Sequence, residues 1–235
     1  MKLPKETLFG GGGERRSHGR WYDDACGTAF GLEVLGERWA MLIVRELLLG
    51  PLRFSDLKTN LPGISAKVLT ERLESLAAWG VLARRQTPPP LAAQVYELTE
   101  WGYFAEVPIM ELGRWAARSV MHNPHLPLSA ASLMTSMKTM QLRDAMAAAP
   151  DMTVGMVVGL EQFCVSITRG EFATRRGECG RYDVLLRAPA SMVIAGALYA
   201  DIPPELLEAE AGLVVEGDRA VLKRFLRLFG LPPKL

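Results

Sequence analysis

Hydrophobic positions recur at three- and four-residue spacing through the first half of the chain, then bunch into short valine-rich runs in the second. The first pattern is that of amphipathic helices and the second that of strands. "ERWAMLIVRELLLGP" predicts a helix from about Glu37 to Leu49, ended by Gly50 and Pro51 as a capping glycine followed by proline should end it. "RFSDLKTN" predicts a short second helix, stopped at Pro62-Gly63. In the next stretch, "ISAKVLTERLESLAAWG", Ser65 stands at an N-cap and Ile64 and Leu69 occupy staple positions. At 100° per residue, Leu69, Leu73, Leu76 and Ala77 share one face. Lys67, Thr70, Glu71 and Glu74 take the other, flanked by Arg72 and Ser75, and Gly80 closes the helix.

That helix follows another across a tight Pro-Gly turn, which is helix-turn-helix organisation. After it, "VLARRQTPPPLAAQVYELT" reads as strand, proline-rich tip and strand, the wing of a winged helix. A longer helix from about Thr99 to Arg118 follows, with a kink expected at Pro108. Its apolar load of Trp101, Phe104, Val107, Ile109, Leu112 and Trp115 is large for a lone domain and predicts a dimer surface. "MHNPHLPLS", Met121 to Ser129, has two prolines and no periodicity and reads as a linker. The organisation expected is a flexible arm at 1–20, a winged helix-turn-helix domain with dimerisation helix at 21–120, the linker 121–129, and a second domain at 130–235.

In that second domain, strands are expected at Met152–Leu160 and Phe163–Thr168, paired as a hairpin around Glu161-Gln162. Further strands are expected at Glu171–Arg175 and Tyr182–Arg187. Helices follow at Ala190–Tyr199 and Pro203–Ala209, then a strand Leu213–Glu216 and a helix Asp218–Phe229. This order predicts an antiparallel sheet covered by helices, and an α+β fold class for the chain.

Charge changes the picture locally. The 235 residues carry a net charge of only +1, so no global basic balance announces a nucleic-acid partner. Between Pro51 and Pro90, however, six Lys or Arg face three Asp or Glu. The excess of three lies on the helix-turn-helix and the wing, where Arg84 and Arg85 could reach phosphates. Three cysteines, Cys26, Cys164 and Cys179, are odd in number and far apart, which argues against a disulfide framework and for a reducing compartment. The absence of a long apolar run or a signal-peptide pattern leads to the expectation of a cytoplasmic protein without a membrane partner. There is no Gly-x-Ser-x-Gly elbow or Walker loop, and His122 and His125 lack a third ligand nearby, so catalysis, cofactor and metal are not expected.

The run from Ala25 to Arg85 resembles the HxlR family of bacterial winged-helix transcription regulators. The marks are Cys26 ahead of the first helix, Gly36 with Arg38-Trp39, "LIVREL", the step "GPLRFSDL", and "LPGIS" followed by "VLTERL"; "YELTEWG" continues it at Tyr96–Gly102. The resemblance implies a homodimer on double-stranded DNA, with Ser65, Lys67, Thr70 and Arg72 nearest the DNA and Lys67 and Arg72 divided between phosphates and base edges. It also implies a candidate oxidant or electrophile sensor at Cys26. Residues 133–230 resemble the sterol-carrier-protein-like domain, through "YDVLLRAPASMVIAGAL" and "GLVVEGDRAVLKRFLRLF". That implies a tunnel between sheet and helices for a small apolar effector, with candidate lining residues Val157, Phe163, Val165, Ile167, Leu185, Val193, Ile194, Leu198, Leu222, Leu226 and Phe229. The function expected is a transcriptional regulator, a repressor by its architecture, modulated by that effector. Two alternatives follow from the same residues. One is a hydrophobic-ligand binder whose winged helix makes protein contacts. The other is a redox switch at Cys26 with an inert second domain.

Overall fold

The computed structural model describes Tyr22, residues 24–88 and residues 92–235; the expected arm at 1–20 and the centre of the wing tip lie outside the described residues. The first half holds α1 (Gly27–Leu35), α2 (Ala40–Leu47), α3 (Phe54–Asn60), α4 (Ala66–Ala78), β1 (Leu82–Gln86), β2 (Gln94–Leu98), α5 (Glu100–Tyr103) and α6 (Glu106–Ala116). The second holds α7 (Ala130–Thr139), α8 (Arg143–Ala147), β3 (Met152–Val158), β4 (Glu161–Thr168), β5 (Glu171–Arg176), β6 (Val184–Ala188), α9 (Ser191–Tyr199), α10 (Pro204–Glu210), β7 (Val214–Gly217) and α11 (Arg219–Leu226).

Buried apolar side chains gather in two clusters. One draws on residues between Val34 and Leu98. In it Leu69, Leu73 and Leu76 of α4 are at most 1% exposed, each contributing roughly 2 kcal/mol of burial. Ala77, expected on this face, is exposed, because the core closes over Leu76. Leu52 exchanges both backbone hydrogen bonds with Tyr96, which fastens the α2–α3 connection to the wing. Two boundaries differ from expectation. Helix α2 starts at Ala40, not Glu37, because Trp39 sits at φ +81°, a left-handed conformation unfavourable for a bulky residue. Pro108 does not kink a continuous helix. It lies in the first turn of α6, where its missing N–H costs nothing, and the break falls before it, between α5 and α6.

The second cluster fills the space between a five-stranded sheet and α7, α9 and α11. The strand order is β5-β4-β3-β6-β7. The sheet is not wholly antiparallel, as the segment order had suggested: β3 and β6 run parallel. The chain leaves β5 at one edge of the sheet, and only residues 177–183 carry it past β4 and β3 to the start of β6. It crosses the sheet face turned away from the helices. Gly155 on β3 makes room for it: a Cβ there would come within 2.7 Å of Leu185 and 3.6 Å of Tyr182. The connection is also fastened covalently. Cys164 on β4 and Cys179 form a disulfide with Cα atoms 5.0 Å apart, contrary to the expectation from cysteine count. Fifteen residues separate them in sequence, and the crossover closes that gap. The β3–β4 turn is at Gly159-Leu160, so Glu161 belongs to β4 rather than to the turn.

The two halves meet through polar groups. Glu46 on α2 is fully buried. Its carboxylate accepts from Arg45 Nη2 at 2.9 Å, from Asn60 Nδ2 at 3.2 Å and from Ser129 Oγ, the cap of α7, at 2.6 Å. Asn60 Nδ2 lies 3.4 Å from Glu161 Oε1, and Glu161 pairs with Arg176 at the end of β5. Lys138 of α7 donates to both oxygens of Glu106 on α6, at 2.7 and 2.8 Å. Lys234 donates to the carbonyls of Ala117 and Ser119, which face out past the end of α6. Glu46→Ala strands three donors around a buried void, and a loss of about 2–3 kcal/mol in urea unfolding is expected. Glu46→Gln, which keeps one acceptor oxygen, should lose less.

Candidate nucleic-acid interface

Helix α4 presents its polar face because its apolar face is fixed in the core. Ser65 caps it: the hydroxyl accepts from Val68 N at 3.2 Å, over buried Ile64 and Leu69. At the other end Gly80 at φ +75° and Val81 donate back to Ala77 and Leu76, a Schellman closure. The helix N-terminus, with its partial positive charge, therefore points outward next to Lys67. The Lys67 side chain is 86% exposed and lies 3.9 Å from Glu71, a loose contact that phosphate or a base edge could displace. Thr70 is half-buried on the same side.

The basic residues picked out by sequence do not all stand free. Arg72 pairs with Glu37, and its Nε donates to the Arg38 carbonyl at 3.2 Å. It braces α4 against the α1–α2 turn instead of pointing to a groove. Arg85 pairs with Glu97 across the wing at 2.8 Å. Arg84 lies on the other face of the wing, its guanidinium 5.5 Å from the centre of the Tyr96 ring. Glu37 and Glu97 both lie outside Pro51–Pro90, and across residues 37–97 the local excess is smaller than three, with eight Lys or Arg against six Asp or Glu. Arg53 and Asp56 cap α3, with Asp56 accepting from Arg53 N at 3.1 Å.

Beside this surface lies an apolar one. Phe104 and Trp115 are 70% and 72% exposed, and Trp101, Val107 and Leu112 are exposed as well. Ile109 is the exception among the six expected there: it turns inward and packs on the first core. Phe30 of α1, not singled out in the sequence, stacks on Trp101 with ring centres 6.5 Å apart and extends the patch. Cys26 is exposed and is the N-cap residue of α1. Its thiol is held below its ordinary pKa, first by the Ala29 amide and then by Thr28.

The expected apolar tunnel does not hold together as one lining. Phe163, Val165, Ile167, Ile194, Leu198, Leu222 and Phe229 are packed into the core, with Val193 and Leu226 against it. Val157 and Leu185 alternate to the opposite sheet face. There they line a cleft of about 220 Å³ with Gln162, Glu178, Cys179, Tyr182 and Arg187, under the crossing connection. Among the described residues no group of three or more His, Cys, Asp or Glu could hold a metal ion, and no helix is long and apolar enough to cross a membrane.

Comparison with known proteins agrees with the geometry of the first half. The profile of the HxlR-like helix-turn-helix family matches residues 34–124. The chain is 41% identical over 86 residues to the HTH-type transcriptional regulator YvaP of Bacillus subtilis, covering 36% of this chain and 79% of that protein. It is 37% identical over 89 residues to the HTH-type transcriptional regulator YodB of the same organism, covering 38% of this chain and 78% of YodB. The solved reduced form of YodB overlays 42% of this chain and 97% of that one, at 31% identity and a TM-score of 0.38. With the polar face of α4, the capped turn before it and the wing behind it in place, the chain belongs to the HxlR-like helix-turn-helix family of DNA-binding transcriptional regulators.

Proposed function

We propose that this regulator binds operator DNA as a homodimer, with the outer face of α4 in the major groove and the wing along the backbone. The observation that carries this is the outer edge of α4, with Ser65 and Lys67 exposed and Thr70 half-buried, held by three buried leucines. A 13-residue helix fixed on one side is the element a major groove admits. Lys67 and Arg84 are the direct contacts in this reading, Ser65 and Thr70 supply short hydrogen-bonding groups, and Arg85 reaches phosphate by exchanging Glu97 for it. Arg72 acts indirectly, as the brace that sets the angle of α4.

The partner copy covers the α1–α5–α6 patch around Phe104 and Trp115. Two copies joined there place two α4 helices on one side of the DNA, which suits an inverted repeat with half-sites about one turn, ~34 Å, apart. The second half is read as a sterol-carrier-like layer whose inner face is filled by its own side chains. A small apolar effector would act only by parting α9 or α11 from the sheet, and only if it binds the two states unequally. Neither catalysis nor a metal has a part in this reading, and the place of action is the cytoplasm, where the DNA is. A second reading is favoured by one observation: Cys26 is exposed with a lowered thiol pKa, as an oxidant or electrophile sensor needs.

Four outcomes are expected. In anisotropy titrations against the DNA upstream of the regulator's own coding region, Lys67→Ala should weaken binding by about 1–3 kcal/mol if it reads a base, or lower the salt slope by about one if it meets phosphate. Unchanged affinity and slope would remove Lys67 from the interface. Arg72→Ala should lower the thermal midpoint and leave the salt slope as it is. Trp115→Glu should shift sedimentation from dimer to monomer; a wild type that sediments as a monomer at micromolar concentration would refute the dimer. Cys26 should be alkylated with a pH midpoint below that of free cysteine, about 8.5, and a midpoint at or above it would exclude the sensor reading.

A further inference from the structure

The disulfide lies where the two halves of the protein are coupled. Cys164 is on β4, three residues after Glu161, and Cys179 is in the crossing connection, three residues after Arg176. Glu161 and Arg176 form the ion pair that meets Asn60 at the end of α3. The two sulfurs and the two charges therefore share the same two segments. Arg176 also lies over the Phe163 ring at 5.0 Å, and burial lowers its pKa while the negative charges of Glu46 and Asp56, both in the helix-turn-helix half, oppose that shift. The end of the connection next to β6 is fastened by Asp183, whose N–H donates to Thr153 O at 2.9 Å and whose carboxylate accepts from Thr153 N at 2.7 Å; around the sulfur itself Arg175 donates to the Glu178 carbonyl at 2.8 Å, and Tyr182 rests against Gly155. Cys179 is half-buried and is one of the residues that line the cleft of about 220 Å³.

A protein that acts on DNA works where abundant small thiols keep cysteines reduced, and a disulfide in such a protein is most often a redox sensor, not a staple. We propose that Cys164 and Cys179 form a reversible dithiol–disulfide pair, exchanged with low-molecular-weight thiols and disulfides through the outer cleft, whose state is relayed to α3 by the Glu161–Arg176–Asn60 junction. The relay to α3 stands on the geometry alone; its effect on transcription rests on the DNA-binding reading above.

In the reducing direction a small thiolate attacks Cys179 Sγ, and a mixed disulfide forms as the Cys164–Cys179 bond breaks. Cys164 leaves as a thiolate and takes up a proton. Arg175, directly opposite Cys164 on β5, favours that thiolate by its charge. A second small thiol resolves the mixed disulfide, leaving two protein thiols and one small-molecule disulfide. Oxidation is the reverse, with two electrons and two protons passing from the pair to a small-molecule disulfide. Loss of the bond frees the crossing connection at its midpoint and loosens the anchorage of Arg176.

The test uses the full chain with Cys26→Ser, which leaves only the pair to titrate. Samples equilibrated in a series of reduced-to-oxidised glutathione ratios are trapped with a maleimide and weighed, and hydrogen exchange is followed in residues 54–63. Two thiols should appear together at reducing ratios. Exchange near Asn60 should then rise by about 5-fold or more, the lower end of ordinary coupling between sites. Glu161→Gln should keep the thiol titration and lose the change at Asn60. Cys164→Ser with Cys179→Ser should show the reduced exchange pattern at every ratio; if that variant does not fold, the titration of the Cys26→Ser chain still decides. A pair that stays oxidised in excess reduced glutathione, or that reduces with no change in residues 54–63, would overturn the proposal. Anisotropy on the same samples separates the two readings: no DNA binding in any state counts against DNA recognition, whereas equal binding in both states counts against a regulatory role for the pair.

Discussion

The buried carboxylate of Glu46 is the constraint on which the rest of the arrangement hangs. A charge with no solvent exposure is tolerable only when surrounded by donors, and here each donor comes from a different part of the chain. Arg45 ties it to its own helix, Asn60 brings in the end of α3, and Ser129 brings in the first turn of α7. One residue thereby fixes α2 and α3, which support α4, relative to the first helix of the second half. The helix-turn-helix half and the layer behind it are not independent modules on a string; they share a polar joint in which one carboxylate draws three donors together.

The second half is shaped by a topological need. Placing β6 beside β3 in parallel forces a short connection across the outer sheet face. Gly155 clears the space, and the Cys164–Cys179 bond holds the connection down. The same crossing covers a cleft and ends beside the joint through Arg176. The inner face is a conventional packed core, so the part of this domain able to respond to small molecules with least disruption is the outer face.

The first half was largely legible in the sequence because local signals there agree with one another. Ser65, Ile64, Leu69 and Gly80 each favour the same helix limits, and the structure places them at the cap, the staple and the C-terminal turn. Side-chain partners from distant segments were not legible. Arg72 and Arg85 count as free cations until Glu37 and Glu97, far away in sequence, are folded against them. The disulfide was missed for the same reason: only the crossover brings residues fifteen apart together, and a count of three cysteines cannot show it. The parallel pairing of β3 with β6 was likewise hidden, since a seven-residue gap suggests a turn between neighbours. Alternation alone could have separated Val157 and Leu185 from Phe163, Val165 and Ile167, because the former point to the opposite sheet face.

The central claim is that the outer edge of α4 meets DNA. Lysine acetylation footprinting on the full-length protein, with and without the DNA upstream of its coding region, tests it most directly. Lys67 should react freely in the unbound protein, as its 86% exposure requires, and become protected on binding, while exposed Lys223 on α11 should react equally in both. Protection of Lys223 with Lys67 unchanged would contradict the claim and move the nucleic-acid surface to the other half of the molecule.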